Sequence, residues 1–357
     1  MRTGFSRPAG ESSPSHYNRR VLDVALENIS LDERLRGITI TFAKSTHTAL
    51  IGPPGSGAST ILRIIAGEIR PASGAVRVGT RNVTTLAMRR RPLLFVTSEI
   101  DAPLRWSVRH LLVAAVRQRT LDRTDRHHEY ELAIAKWRLA RLVDRPLRTL
   151  STSELTLAHL ARIELMRPGI VVADRVLERL NPSSLAEIAD EFFRTLRVMG
   201  ATVISAPSSH TELGLTDRVV VLDAGNLVQD GALAAVYRRP NSVASAMATG
   251  DVNVIPVRVR GDEVESAIGN WSAKPPFQGE GVSLARPEDF TIPVPGEESD
   301  LIFGIEEASF RGGRWIATGL LTGGLALRVA LPPDLSVHKG RLLPLRYDAS
   351  RFVLLPH

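Results

Sequence analysis

The nine residues from Gly52 to Thr60, Gly-Pro-Pro-Gly-Ser-Gly-Ala-Ser-Thr, constrain this chain more than any other stretch. Gly52, Gly55 and Gly57 allow backbone angles that side chains resist, so the segment can turn sharply and approach a ligand closely. A short apolar run, THTALI, leads into it, and STILRIIAGEI follows with helical spacing. Strand, glycine loop and helix is the order in which open backbone N–H groups and a helix N-terminus face an anion. The spacing fits the phosphate-loop pattern G-x-x-x-x-G-K-[ST], with one departure: Ala58 stands where the pattern has lysine. Such a loop keeps the backbone cradle and lacks the cation that would bridge the outer phosphate oxygens.

The chain has 357 residues, 43% of them hydrophobic, enough for a full domain and a smaller one. It contains no cysteine, which excludes disulfides, thiolate catalysis and cysteine-held metals and fits a reducing compartment. The formal charge is +7, carried almost wholly by arginine, since lysine occurs only at 44, 136, 274 and 339. The arginines are scattered and often sit beside acids, as in LDRTDRHHEYE, so we expect solvated surfaces and no nucleic-acid partner. No apolar run reaches membrane-spanning length, and any membrane association is expected to come through a partner.

Residues 1–20 are rich in Ser, Pro, Gly and Arg and are expected to be a disordered tail. Residues 21–248 alternate strand and helix patterns. VLDVALENISL, GITITFA, SGAVRVGT, GIVVAD, ATVISA and RVVVLDAG read as strands, and about 105–166 as a helical stretch. The alternation implies a mostly parallel sheet covered on both faces. From residue 249 to 357 the texture changes to short strands split by Gly, Pro and Asp, which reads as a small, barrel-like all-β module.

Together with the tail LDAGNLVQDGALAAVYRRPNSVASAMATGDVNVIPVRV and the stretch LARPEDF, these motifs resemble the ATP-binding subunit of ABC importers, in the branch serving sugars, polyols and related solutes. The resemblance covers roughly residues 21–357. It implies an α/β fold: a P-loop NTPase (ABC ATPase) domain with a helical subdomain, followed by a C-terminal OB-like module. It also implies ATP and Mg²⁺ as ligands. Gly52, Pro53, Pro54, Gly55, Ser56, Gly57, Ala58, Ser59 and Thr60 would hold phosphate, with Ser59 and Asp174 as the Mg²⁺ ligands.

Six positions that serve one reaction depart from the family pattern. Besides Ala58, Arg175 stands where a glutamate would polarise the attacking water, and a guanidinium cannot accept a proton. It can pair with phosphate oxygens, or with Asp174 or Glu178. The signature L-S-G-G-Q reads Leu150-Ser151-Thr152-Ser153-Glu154; Ser151 would face a partner's nucleotide, yet Ser151 and Glu154 also spell a helix capping box. Thr97 and Ser98 occupy the position of the family's Mg²⁺-sensing glutamine, and Pro207 or Ser208 that of its switch histidine, with His210 two or three residues off. Near Asp32 and Glu33 no aromatic is available to stack on adenine; outside these six, Asn181 stands where the family has an interface aspartate. Lys44 and Arg63 are expected to lie too far from the loop to replace the lysine.

The expectation is therefore a hydrolysis-deficient importer subunit on the cytoplasmic face of the membrane. Its partners would be permease subunits, a competent second ATP-binding subunit and, indirectly, a periplasmic or extracellular solute-binding protein. A working homodimeric ATPase and a non-transport regulatory scaffold are the alternatives.

Overall fold

A computed structural model describes residues 21–294 and 296–356. The N-terminal tail of the sequence reading lies outside them. Contacts group the described residues into two compact units. One contains the residues up to Leu50, Gly55–Val219 and Ala224–Asn226; the other contains Ile51–Pro54, Val220–Asp223 and everything from Leu227 onward.

The first ten strands are β1 (Val24–Leu31), β2 (Leu35–Phe42), β3 (His47–Ile51), β4 (Ser73–Val78), β5 (Arg81–Asn82), β6 (Leu94–Thr97), β7 (Ile170–Asp174), β8 (Thr202–Ala206), β9 (Arg218–Asp223) and β10 (Asn226–Gly231). They form a four-stranded sheet in the order β2-β1-β4-β5 and a six-stranded sheet in the order β10-β9-β3-β8-β7-β6. In the larger sheet β3 pairs with β8, β8 with β7 and β7 with β6, all parallel. Every residue of β3, β7 and β8 is buried, as continuous apolar runs in a two-sided parallel sheet should be. In the smaller sheet β1 pairs antiparallel with β2 and with β4. The apolar spacing marked these strands but carried no sign of their separation into a second sheet.

Five helices accompany these strands: α1 (Ala58–Ala66), α2 (Val108–Val116), α3 (Arg123–Lys136) and α4 (Thr152–Met166) precede β7, and α5 (Pro182–Val198) follows it. The core joins α2–α5 to β6–β8 around Leu111, Trp137, Leu160, Phe192 and Phe193. Lys136 holds Glu164 at 3.1 Å and Glu191 at 3.0 Å, while the Trp137 indole donates to Glu164 at 2.6 Å. One partly covered cation thereby ties α3, α4 and α5 together. His47, the first residue of β3, stacks on Phe193 with ring centroids 4.4 Å apart and places Nε2 2.8 Å from the Ser205 hydroxyl. Burial holds its pKa down at about 4, so it packs as a neutral ring.

After the short α6 (His210–Leu213) come α7 (Leu233–Arg238) and α8 (Val243–Thr249). The remaining strands are β11 (Asn253–Arg260), β12 (Glu263–Ser266), β13 (Gly269–Ser272), β14 (Gly279–Ala285), β15 (Phe290–Thr291), β16 (Leu301–Arg311), β17 (Arg314–Leu321), β18 (Ala326–Leu331), β19 (Leu342–Tyr347) and β20 (Val353–Pro356). They build two five-stranded sheets, β13-β12-β11-β14-β20 and β15-β19-β16-β17-β18. Strict alternation along β11 sends Ile255, Val257 and Val259 inward, and Phe290, Phe303 and Leu345 fill one of the cores. The result is an all-β, nearly barrel-like module.

Everything from Leu227 onward falls in the second unit, so α7 and α8 group with the β strands that follow them. Arg286 supplies the reason. Its guanidinium donates to the carbonyls of Tyr237, Ala246, Gly250 and Asp251 and to the Thr249 hydroxyl, and it lies 3.8 Å over the Tyr237 ring. The side chain thus gathers α7 and α8 onto the β module, and a buried charge with this many partners is well satisfied.

Candidate nucleotide site

The phosphate loop leaves β3 and enters α1 through Gly57, whose φ of 103° lies in the left-handed region. A Cβ there would come within 2.7 Å of Leu35 Cδ2, so the position needs glycine both for its angle and for the close approach of β2. Gly57 caps α1 without a side-chain hydrogen bond, and the first turn carries no acidic residue. Behind the loop, Gly225 N–H donates to the Ser56 carbonyl at 3.2 Å, and Arg36 N–H to the Gly225 carbonyl at 3.0 Å. The loop is therefore propped from one side. Pro53, Pro54 and Gly55 are exposed, and Ala58, Ser59 and Thr60 half-buried in the first turn of α1.

Asp174 ends β7 and is only 7% exposed. Ser59 donates its hydroxyl to Asp174 Oδ1 at 2.8 Å, joining the two residues that the family pattern assigns to Mg²⁺. Arg63 Nε lies 3.9 Å from Asp174 Oδ2. Arg63 is four residues after Ser59, so helical spacing puts both side chains on one face toward Asp174. The paired hydroxyl and carboxylate oxygens suit a hard divalent cation that completes its shell with phosphate and water. Bound there, Mg²⁺ would neutralise phosphate charge. The propped glycine loop suits the phosphates themselves.

Arg175 follows in a left-handed conformation, φ 50°, with its N–H donating to the Ala206 carbonyl at 2.9 Å. Its side chain is exposed and forms no ion pair among the described residues, so neither Asp174 nor Glu178 holds it as the sequence reading allowed. It lines an open cleft of about 390 Å³ with Glu178, Pro207, Ser208 and Ser209. Two further positions of the reaction pattern have structural partners. Ser98 donates to Glu178 at 2.6 Å, and the neighbouring Glu99 pairs with Arg179 at 3.0 Å. Ser208 donates through both its N–H and its hydroxyl to the buried Glu212, at 2.9 and 2.6 Å. Burial raises the Glu212 pKa, and the serine bonds oppose that rise. His210 is exposed and makes no hydrogen bond or ion pair among the described residues. Nothing in this geometry assigns it the switch role.

The altered signature segment is closed on itself. Ser151 accepts from Glu154 N–H at 3.3 Å, and Glu154 Oε2 accepts from Ser151 N–H at 2.7 Å, a complete capping box at the start of α4. The Ser151 backbone bond, more than Arg145 at 3.7 Å, lowers the Glu154 pKa and keeps it charged. Asn181 precedes α5 without a side-chain cap. The Ser98–Glu178 and Ser208–Glu212 contacts had no sequence signal, because each joins a non-motif carboxylate to a substituted position.

Residues 35–177 match the model of the ABC transporter family. The sulfoquinovosyl glycerol transport ATP-binding protein of Agrobacterium fabrum is 26% identical over 89% of this chain and 91% of its own length. The spermidine/putrescine import ATP-binding protein of Marinobacter nauticus is 28% identical over 74% of each chain. The molybdate/tungstate import ATP-binding protein of Pyrococcus horikoshii is 26% identical, covering 93% of this chain and 99% of its own. Among solved structures, the ATP-binding cassette MJ0796, a post-hydrolysis dimer bound to ADP and Pi, superimposes with a TM-score of 0.52 at 18% identity over 58% of this chain and 98% of its own. That likeness speaks for the fold. Loop, carboxylate and solved structures agree on the fold: the chain has the P-loop ABC ATPase fold, followed by a C-terminal all-β module, and its residues 35–177 are similar to the ABC transporter family.

Proposed function

We propose that this chain is the nucleotide-binding subunit of an ABC importer for a small polar solute, a sugar or polyol by preference, and that it holds ATP with Mg²⁺ but hydrolyses it weakly or not at all. The observation that carries this reading is the Ser59–Asp174 pair, kept at 2.8 Å below an uncapped α1, beside an exposed Arg175 where a proton acceptor would be needed. Arg63, 3.9 Å from Asp174, and Arg175, the residue after it, bring positive charge to this part of the chain and partly replace the absent lysine. An arginine can bind phosphate oxygens and cannot take a proton from water.

Turnover in the assembled transporter then falls to a second, competent ATP-binding subunit, with both subunits seated on permease subunits at the cytoplasmic face of the membrane and solute delivered by a binding protein outside. The relatives named above transport a sulfosugar glyceride, polyamines and oxyanions, which supports import of small polar solutes as the shared theme. No helix among the described residues is long and apolar enough to cross a membrane, in keeping with a subunit held there by partners.

Titration of the full chain with ATP, with and without Mg²⁺, tests the proposal. The expected result is Mg²⁺-dependent binding that Asp174→Asn removes, with phosphate release at background. Rapid hydrolysis by the chain alone would overturn it, as would failure to bind nucleotide in either condition.

A further inference from the structure

Helices α2 and α3 enclose an open cleft of about 470 Å³, built from residues outside the nucleotide site. Val113 and Val116 form part of its wall on α2, and the ring of Tyr130 part of its wall on α3. Arg109, Arg117, Arg123 and Arg126 surround it. Only Arg109 is neutralised by an acid, holding Asp144 through two bonds of 2.8 and 3.1 Å. Glu131, the acid that lines the cleft, lies 3.9 Å from His127. Among the described residues Arg117, Arg123 and Arg126 make no side-chain hydrogen bond or ion pair. Unpaired guanidiniums gathered from two helices repel one another unless an anion joins them.

A second observation points the same way. Tyr130 is 6% exposed, and its hydroxyl has no hydrogen-bond partner; Arg126 Nε is likewise sealed from solvent without one. Buried polar groups are nearly always satisfied, and these two are both donors. A ligand rich in acceptor oxygens would complete them. Guanidinium forks match phosphate in particular, because two parallel N–H groups meet two oxygens. The volume lies within the range of small-molecule sites.

We propose that the cleft between α2 and α3 binds a phosphate-bearing small anion, held by Arg117, Arg123 and Arg126 and by the hydroxyl of Tyr130. The site is independent of the phosphate loop and of the nucleotide reading given above.

Calorimetric titration of the full chain with sodium tripolyphosphate, and separately with inorganic phosphate, tests it. Wild type should bind tripolyphosphate more tightly than phosphate, since three arginines engage more than one group. Tyr130→Phe keeps the ring and should weaken binding about tenfold, the loss of one hydrogen bond to a charged partner. The double variant Arg117→Gln/Arg126→Gln should weaken it about 100-fold, with an unchanged melting temperature showing that the fold is intact. Binding equal to wild type in both variants would place the anion elsewhere and overturn the proposal. Weakening by the arginine changes without any effect of Tyr130→Phe would reduce the cleft to surface charge and also overturn it. A wild type that ignores millimolar tripolyphosphate, while the double variant loses a co-purifying membrane subunit, would make an acidic protein loop the occupant and sink the idea.

Discussion

The starts of α1 and α4 are the two helix N-termini that the sequence resemblance assigns to phosphate, and this chain treats them in opposite ways. At α1 the cap is Gly57, with no side-chain bond and no acid in the first turn. At α4 the cap is Ser151, and Glu154 returns to close the box. Both ends present unsatisfied N–H groups and a partial positive charge. At α1 these remain available to an external anion. At α4 the chain's own side chains take two of them, Glu154 the Ser151 N–H and Ser151 the Glu154 N–H. One terminus is left open, while the other is closed by its own residues.

The largest expected effect tests whether α1 needs only its missing chemistry. Ala58→Lys alone should tighten ATP binding with little turnover, while Ala58→Lys/Arg175→Glu should raise hydrolysis about 100-fold over wild type, the usual worth of a general base. Rapid turnover in the single variant would show that Arg175 does not limit the reaction. Next in size is Gly57→Val, which forces a branched side chain into a left-handed angle and against Leu35. A loss of about 3 kcal/mol in chemical unfolding is expected, together with loss of ATP binding. A stable variant that still binds would mean the open cap is not what holds phosphate.

A comparable effect should appear beneath α1, where His47 opens β3. Its pKa falls from 6.5 in the unfolded chain to about 4 in the fold, so the unfolded chain takes up the proton first as pH drops. Its contribution is complete above pH 6.5 and is lost progressively down to about pH 4. About 3 kcal/mol is at stake. In His47→Gln the melting temperature should fall less steeply across that window, and an unchanged slope would assign the acid sensitivity elsewhere. The smallest effect belongs to α4. Ser151→Ala should cost about 1 kcal/mol and leave the isolated chain's affinity for ATP unaltered. A change in that affinity would mean the two termini are not independent.

The contrast between these termini was half visible in the sequence. Ser-x-x-Glu spells a capping box directly, and the glycine spacing marks the loop, because both are local patterns. The Ser59–Asp174 contact followed from strand and helix order combined with the family resemblance. The four-residue offset of Arg63 from Ser59 places both side chains on the same helix face. What that offset could not show was the height of Asp174 at the end of β7, which depends on how deep the sheet sits. The contacts of Ser98 and Ser208 were beyond reach for a related reason: once a reactive residue is replaced, its new partner is whatever carboxylate the fold supplies. In the β module the Gly, Pro and Asp breaks mark a run of short strands, while β12, β13 and β20, four residues each, are too short to stand out singly.

Arg286 also determines where this chain can be divided. Its five acceptors lie between Tyr237 and Asp251, so a fragment starting at residue 249 would keep the guanidinium and lose the carbonyls of Tyr237 and Ala246. A fragment starting near residue 227 keeps them all. The amide protons of α8 should then exchange with solvent at the pace of the β module's inner strands, because freeing the helix exposes the same buried cation. The last helices before the barrel belong, in cooperative terms, to the barrel.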